Sequence, residues 1–365
     1  MRMKGGEVRF RSSILAFGLL LALATLREAS PAGAVRPRDV TFFFISDPHV
    51  GAEDPKANPP VTREGTAERA RAELEGRLAL IGKPGPAKRR AGEEDFGAVA
   101  RPRGLLIGGD LTDNLEWKRF ESVFPAAGAE AGGGTIPFFL CMGNHDGPLD
   151  GATGRGVVER NRAHEKAGRL GAISENGLHY ALNWEGVHLL VLHLCPADAI
   201  DAETPFRFGK PGPGSWNDPQ GALSFMKKYL RERVGNSGDP VLLLHHYGFD
   251  DFSLNDWNWW TPKQRRAMVD AIRDYNVVAI LHGHNHLADH YRWPDPQRNP
   301  DEVRRLFGPS PPADLRPVDV FSAGRRVWVF RLVGDRLRAA HHNGRDWSEG
   351  KVVSIPLAQP GRKRP

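Results

Sequence analysis

The stretch "NVVAILHGHNH" (276–286) joins a short apolar run to three histidines in alternate positions. Its five consecutive apolar residues are typical of a strand buried on both faces of a sheet. The polar residues begin where that strand would end. In α/β sheets, the carboxyl ends of the strands are where loops converge on a ligand. The stretch therefore predicts a buried strand with a binding site at its carboxyl end.

Further apolar runs of the same kind precede it along the chain, and each is followed by a polar or glycine-rich break. They are "VTFFFIS" (40–46), "GLLIGG" (104–109), "IPFFLCM" (136–142), "VHLLVLHL" (187–194) and "PVLLLHH" (240–246). Their continuous apolarity predicts that these segments are also buried strands.

Between several of these runs the apolar residues recur at helical spacing, which predicts helices over 67–81, 218–234 and 261–275. Asp218 with Pro219 predicts the start of the second helix, as a cap followed by proline at the first position. The third helix opens on a capping-box sequence with Thr261 and Gln264. Alternation of strands and helices indicates an α/β fold with central sheets.

The C-terminal part changes character after a Pro- and Arg-rich loop (293–317). "VDVFSA", "RVWVFRLV", "RLRAAHH" and "KVVSIPL" follow as strands without helices between them, and we expect them to extend or complete a second sheet. The sequence contains no internal repeat and no clear linker. It therefore predicts a single domain over 35–359, with loop insertions at 51–103 and 147–177 and a basic tail at 360–365.

Residues 1–34 have the pattern of a secretory signal peptide: a basic start, an apolar run of thirteen residues (14–26), and "PAGA" before the cleavage point. The apolar run is too short to span a bilayer comfortably. We expect cleavage and export to the periplasm or the exterior, with no stable membrane span afterwards. An uncleaved N-terminal anchor is the alternative.

The charge gives no reason to expect a nucleic acid partner. Of the net +6, residues 1–34 contribute five basic and two acidic groups, so the rest of the chain is close to neutral. Cys141 and Cys195 each end or follow an apolar run. In an exported protein they could form a disulfide, but buried free thiols are an equal alternative.

Residues capable of binding metals follow five of the predicted strands. They are Asp47-Pro48-His49, then Asp110, then Gly143-Asn144-His145-Asp146, then His245-His246, and finally His282-Gly283-His284-Asn285-His286. A mixed set of carboxylate, amide and imidazole ligands is too large for one tetrahedral zinc ion. It suits two ions that share a bridging carboxylate, which is an arrangement typical of phosphate ester hydrolysis.

This series of motifs, D-x-H, G-D, G-N-H-D, H and G-H-x-H, resembles the calcineurin-like metallophosphoesterase superfamily, which includes purple acid phosphatases and several phosphodiesterases. The resemblance runs from Asp47 to His286. It implies a two-sheet β-sandwich flanked by helices, in four α-β-β-α layers. It also implies two metal ions (manganese, zinc, iron or a mixed pair) and attack on a small phosphate ester by a hydroxide that bridges them.

Transferred motif by motif, the resemblance implies a role for each residue. One ion would be bound by Asp47, His49 and His286, and the other by Asn144, His284 and a histidine of the 245–246 pair, with Asp110 bridging them. His145 would face the substrate and assist departure of the alcohol, and Asp146 would orient His145.

The sequence departs from one branch of the superfamily at Asp113. Purple acid phosphatases have a metal-binding tyrosine three residues after the G-D aspartate, and here that position is Asp113. The resemblance therefore disfavours a purple acid phosphatase in the strict sense.

Not every histidine is expected to bind a metal. Adjacent strand residues point to opposite faces, so His245 and His246 cannot both face the ions, and the resemblance favours His245. His282 is expected to be structural, and His290 to lie in the loop after the motif. The remaining histidines of the later chain are expected in the core, at the rim or away from the site: His179, His188, His193, His341 and His342.

Two further segments have alternative interpretations. The aromatic stretch "HYGFDDFSLNDWNWW" (246–260) predicts either a wall over the site that contacts the alcohol part of a substrate, or a packed loop core. The insertion 147–177 carries basic residues that would bind further phosphates or form a solvated helix face: Arg155, Arg160, Arg162, Lys166 and Arg169.

The sequence thus predicts an exported, binuclear metal-dependent phosphoesterase. Two alternatives remain open. One is a phosphodiesterase or nuclease of the same superfamily, and the other is a non-catalytic binding protein that retains the fold. The sequence determines neither the substrate nor the oligomeric state.

Overall fold

The computed structural model describes residues 38–87, 95–113, 115–201, 216–250, 252–256 and 259–357. The predicted signal peptide (1–34) and the basic tail (360–365) lie outside the described residues.

Short strands make up the centre of the described chain. They are β1 (Asp39–Ile45), β2 (Leu105–Gly108), β3 (Ala129–Ala131), β4 (Gly134–Ile136), β5 (Phe138–Cys141), β6 (Ala172–Ile173), β7 (Tyr180–Trp184), β8 (Val187–Val191), β9 (Val241–Leu244), β10 (Val277–His282), β11 (Asp289–Trp293), β12 (Val318–Ser322), β13 (Val327–Val333), β14 (Arg336–His342) and β15 (Trp347–Pro356). The six apolar runs predicted as buried strands correspond to β1, β2, β5, β8, β9 and β10.

Helices connect many of the strands. They are α1 (Arg63–Leu78), α2 (Trp117–Val123), α3 (Ala152–Lys166), α4 (Ala222–Tyr229), which continues as a π-helical turn over Leu230–Val234, α5 (Pro262–Ile272) and α6 (Pro300–Phe307). A second π-helical turn covers Phe252–Asp256. Helix α1 lies inside the predicted insertion 51–103, and α3 lies inside the insertion 147–177.

Two sheets form the architecture, which confirms the predicted α/β fold class. The first has the strand order β15-β14-β13-β1-β2-β5, and the second has the order β11-β12-β10-β9-β8-β7-β6. Strands β1, β2 and β5 are parallel to one another, as are β8, β9, β10 and β12. A small separate sheet pairs β3 with β4.

Alternation along β1 shows how the layers are built. Phe42 and Phe44 are buried in a cluster with side chains of the second sheet, such as Leu244. Phe43 and Ile45 point the other way and are buried with apolar residues of the flanking helices. Because successive strand residues alternate between faces, the apolar run Phe42–Ile45 is buried on both sides of the sheet.

The predicted helix starts have mixed outcomes. The capping box at Thr261 is confirmed, since its hydroxyl accepts a hydrogen bond from the amide of Gln264 and the Gln264 side chain accepts one from the amide of Thr261. The prediction at Asp218 is wrong. Its carboxylate instead closes a turn with the amide of Gln220 at 3.0 Å, and α4 begins at Ala222.

The C-terminal part differs from the prediction in two ways. The loop predicted over 293–317 contains α6, which is capped by the Asn299 side chain and has Pro300 in its first turn. The four late strands divide between the sheets. Strand β12 joins the second sheet beside β10, whereas β13, β14 and β15 extend the first sheet beyond β1. His290, predicted in a loop, lies in β11 and has its Nε2 atom 2.8 Å from Asp319.

Candidate metal centre

The loops that follow the parallel strands meet across the two sheets. The amide of His284, after β10, donates to the carboxylate of Asp47, after β1, at 3.0 Å. Nε2 of His246, after β9, lies 3.3 Å from Oδ1 of Asp110, after β2. The carboxyl ends of strands in both sheets therefore form one rim, as the sequence predicted.

A first cluster contains Asp47, His49, Asp110 and His286, each with one ligand atom within 4.8 Å of the others. Nε2 of His49 lies 3.0 Å from Nε2 of His286 and 3.5 Å from the Asp110 carboxylate. Nε2 of His286 lies 3.7 Å from the Asp47 carboxylate. This donor set of two carboxylates and two imidazoles could hold a metal ion.

A second cluster contains Asp110, His246 and His284. Oδ1 of Asn144 lies 3.2 Å from Nε2 of His246. Nε2 of His284 is buried and has no hydrogen-bond partner among the described residues. A buried imidazole nitrogen without a partner is costly, and binding a metal ion would remove that cost. The residues present therefore fit a metal.

Hydrogen bonds at the other ring nitrogen favour the required tautomers. Nδ1 of His246 donates to the carbonyl oxygen of Gly108 at 2.8 Å, and Nδ1 of His49 lies 2.7 Å from the Asp113 carboxylate. With the proton held on Nδ1, the lone pair of each imidazole is on Nε2 and is directed into its cluster.

Asp110 belongs to both clusters. Its Oδ2 faces His49 and its Oδ1 faces His246. Burial raises the pKa of the Asp110 carboxyl, but the neighbouring His246, and then His145, lower it well below its ordinary value. An ionised carboxylate between two donor clusters occupies the position that a bridging ligand needs.

The backbone at the rim is strained. Five residues of these clusters have positive φ angles between 45° and 74°, which non-glycine residues rarely adopt: Asp47, His49, Asp110, His284 and His286. Such strain concentrates at functional sites, where the surrounding structure enforces it. Glycine is required at position 143 for a separate, steric reason. A Cβ atom on Gly143 would lie 2.2 Å from Oδ1 of Asp110.

The structure places His246, and not His245, in the second cluster. The His246 ring points into the space between the sheets, toward Gly108 of β2. The His245 ring points the other way and packs against Phe249 and Trp260, with ring centroids 5.5 and 5.6 Å away. We therefore correct the candidate from His245 to His246, since the two side chains of this pair do lie on opposite faces.

His145 extends from the rim and is paired with Asp113. Its Nδ1 lies 2.7 Å from Oδ1 of Asp113, and its side chain is 48% exposed. Burial raises the pKa of the Asp113 carboxyl, but hydrogen bonds from His145 and His49 outweigh it and lower that pKa to about 2. Burial lowers the pKa of His145, whereas Asp110 and then Asp113 raise it to about 9.

Asp146 does not have the orienting position that was predicted for it. Its carboxylate is fully buried and accepts the amides of Gly143, Thr112 and Leu111 at 2.7, 2.8 and 3.1 Å. It ties the loop after β5 to the loop after β2, while Asp113 contacts the His145 ring. The sequence did contain one indication of Asp113. It lies three residues after Asp110, at the position where purple acid phosphatases have a metal-binding tyrosine.

The other histidines lie outside both clusters. His282 ends β10, and its Nε2 lies 2.8 Å from the hydroxyl of Tyr291, which agrees with the structural role predicted for it. His179, His188 and His193 are buried around β7 and β8. His341 and His342 end β14, and the His342 ring packs against Trp347.

The aromatic loop packs partly as a loop core and partly against a residue of the second cluster. Phe249 and Trp260 are buried, and Phe249 stacks on Trp293 at 3.7 Å, as a loop core would. Trp259 and Phe252 lie against the His284 ring, at 4.5 and 5.1 Å between centroids, and Phe252 is 43% exposed.

Three basic residues of the insertion 147–177 contact other groups of the protein. Arg160 is buried, with its guanidinium 5.1 Å from the centre of the Trp117 ring. Arg162 pairs with Glu165 at 3.0 Å, and Arg155 donates to the carbonyl oxygen of Asp150.

Both cysteines, Cys141 and Cys195, are buried free thiols, and burial raises the pKa of each. Within the described part of the chain, no helix has both the length and the apolarity needed to cross a membrane.

Comparison with known proteins identifies one family. A family model described as calcineurin-like phosphoesterase matches residues 40–288, which include every residue of both clusters. No curated protein sequence matches the chain.

Solved structures similar to the described fold are distant in sequence. GAP50 of Plasmodium, described as the anchor in the inner membrane complex, is 8% identical, with 89% of this chain and 90% of that chain covered and a TM-score of 0.45. The calcineurin-like phosphoesterase YfkN of Bacillus subtilis is 13% identical, with 88% and 92% covered and a TM-score of 0.37. A putative 5′-nucleotidase of Staphylococcus aureus is 12% identical, with 88% and 55% covered and a TM-score of 0.39.

Proposed function

This chain belongs to the calcineurin-like phosphoesterase family, and from that membership we propose that it is a binuclear metal-dependent hydrolase of small phosphate esters. The observation that carries the proposal is the position of Asp110, whose two carboxylate oxygens face two separate donor clusters. A single shared carboxylate of this kind is what a pair of ions needs.

The residues that would hold the ions follow from the two clusters. Asp47, His49 and His286 would bind one ion, Asn144, His246 and His284 would bind the other, and Asp110 would bind both. When bound, manganese, zinc, iron or a mixed pair would supply a water that ionises near neutral pH and positive charge for the phosphoryl oxygens.

His145 is the proposed catalytic residue of the chain. Its ring centroid lies 4.9 Å from that of His49, so it borders the first cluster, and its amide donates to Asp110 at 3.0 Å. Asp113 holds the proton on Nδ1, which leaves Nε2 on the opposite side of the ring for the substrate. From there, His145 would stabilise phosphate charge or protonate the departing alcohol oxygen.

The decisive experiment combines elemental analysis of the purified protein with parallel assays on an aryl phosphate monoester and the matching diester. We expect about two metal ions per chain and hydrolysis of at least one ester. Metal binding without hydrolysis of any ester in a broad panel would indicate a non-catalytic binding protein. Cleavage of single- or double-stranded DNA would indicate a nuclease, although the near-neutral charge of residues 35–365 does not favour one.

We also propose that the protein is exported, on the basis of the signal-peptide pattern of residues 1–34. Cell fractionation with N-terminal sequencing of the exported form tests this proposal. A mature form that begins near residue 35 is the expected result, and an intact N-terminus in the membrane fraction would favour the uncleaved anchor.

A further inference from the structure

A basic cavity of about 500 Å³ lies against helix α1, and one of its lining residues, Arg325, contacts the backbone of Asp47 in the first cluster. Helix α1, the turn between β12 and β13, and the turn after β14 form its walls. Its charged and titratable lining residues are Arg69, Arg77, Arg325, Arg326, His342 and Glu73. Four guanidinium groups thus share one carboxylate, so the cavity carries an excess of positive charge.

That single carboxylate does not satisfy the guanidinium groups around it. Glu73 pairs closely with the buried Arg77 at 2.8 Å, whereas its distance to Arg69 is 3.9 Å. Nη2 of Arg69 is buried and has no hydrogen-bond partner among the described residues. Burial and then the positive charge of Arg325 lower the pKa of Arg69. Like charges held this close together favour the binding of an anion.

Arg325 connects the cavity to the metal-binding residues. Its Nε lies 3.4 Å from the carbonyl oxygen of Asp47. The turn that carries it is fixed, because Arg77 donates to the Arg325 carbonyl oxygen and the amide of Ser46 donates to that of Gly324 at 2.8 Å. An anion held by Arg325 at the edge of this cavity would therefore lie on the Asp47 side of the proposed metal centre.

We propose that this cavity binds a second phosphate group of the substrate, so that the preferred substrates are small phosphate esters that carry two phosphates. Guanidinium groups suit this role because their paired N–H donors match phosphate oxygens. The inference rests on the proposed function, since it places the reacting phosphate at the metal centre. It also moves the second-phosphate site from the insertion 147–177, where the sequence suggested it, to α1 and the turn between β12 and β13.

A binding experiment on the full chain tests the inference without turnover. Alkane bisphosphonates of increasing chain length are compared by calorimetry with the matching monophosphonates, which are not hydrolysed. We expect at least one bisphosphonate to bind about tenfold more tightly than its partner, because a charge-assisted hydrogen bond is worth about one order of magnitude. The chain length with the largest advantage reports the separation of the two sites.

Two charge-neutralising variants and a matched control assign the effect to the cavity. Arg69→Gln and Arg326→Gln should each remove most of the bisphosphonate advantage. Arg71→Gln removes the same charge from an exposed position of α1 that does not line the cavity, and it should leave the advantage unchanged. A general loss of positive charge would affect all three variants alike.

A further arm separates this inference from the proposed function. In chelator-treated protein, inorganic phosphate should still bind weakly to the wild type and less well to Arg69→Gln. Bisphosphonates that bind no better than monophosphonates at any length, or an advantage that survives Arg69→Gln, would overturn the inference. Ester hydrolysis would then still support the proposed function. Conversely, phosphate binding that depends on Arg69, in a protein with no hydrolytic activity, would support the anion-binding role of the cavity and contradict the proposed enzymatic function.

Discussion

The Asp113 carboxylate accepts a hydrogen bond from Nδ1 of His145 at 2.7 Å. Its other oxygen lies equally close, at 2.7 Å, to Nδ1 of His49. One carboxylate therefore orients both the proposed catalytic histidine and a proposed metal ligand. Because Asp113 is ionised, both imidazoles must present their protons to it.

Asp113→Asn should lower kcat and weaken metal binding together. An amide cannot accept two hydrogen bonds as strongly as a carboxylate, and the loss of such a partner typically costs about 10–100-fold in metal affinity or activity. Metal titration and steady-state kinetics measure the two effects. The exposed Asp150→Asn serves as the control, and an Asp113→Asn enzyme equal to it in both assays would refute the orienting role.

His145→Ala should retain its metal content and lose most of its turnover. The side chain is half exposed and belongs neither to the Asp47–His49–Asp110–His286 cluster nor to the Asp110–His246–His284 cluster, and general acid–base assistance is worth about 10²–10⁴-fold. Elemental analysis and kcat on an aryl phosphate give the two readouts. Full activity in this variant would remove the proposed role of His145.

Asp110→Asn should lose metal and activity together, because this carboxylate is shared by both clusters. The variant removes a negative charge but keeps the shape of the side chain. Circular dichroism establishes whether the fold is intact, and elemental analysis gives the number of ions per chain. Two ions per chain in a folded variant would contradict the bridging position.

His246→Ala and His245→Ala should have opposite effects. His246→Ala should reduce the metal content while the protein remains folded. His245→Ala should keep the metal but lower stability by about 1–3 kcal/mol, because it removes a ring packed on Phe249 and Trp260. Thermal unfolding and elemental analysis of both variants test this, and metal loss confined to His245→Ala would restore the original prediction.

Cys141 and Cys195 should not react with a thiol reagent in the native protein, and both should react after unfolding without a reductant. Burial blocks access and raises the pKa of both thiols, so little thiolate forms. A titration in buffer and in guanidinium chloride measures this. A protein that shows no thiols after unfolding would contain the disulfide that the sequence left open.

The sequence was sufficient for the buried strands and for the polar residues at their ends. Continuous apolarity identifies β1, β2, β5, β9 and β10 without any knowledge of their neighbours, because a strand covered on both faces excludes polar side chains. The motifs at their ends then predict which residue types meet at the rim. These are local properties of the chain, and they can be recognised in one dimension.

Tertiary structure decided every choice that depends on how one element lies against another. Because neighbouring side chains of a strand point to opposite faces, the sequence showed that only one of His245 and His246 can face the rim. The packing of β9 opposite β2 then selects His246. Likewise, Asp113 contacts the ring of His145 while Asp146 turns inward to accept backbone amides. The basic cavity brings together α1 and a turn more than two hundred residues away, a proximity that no local pattern encodes.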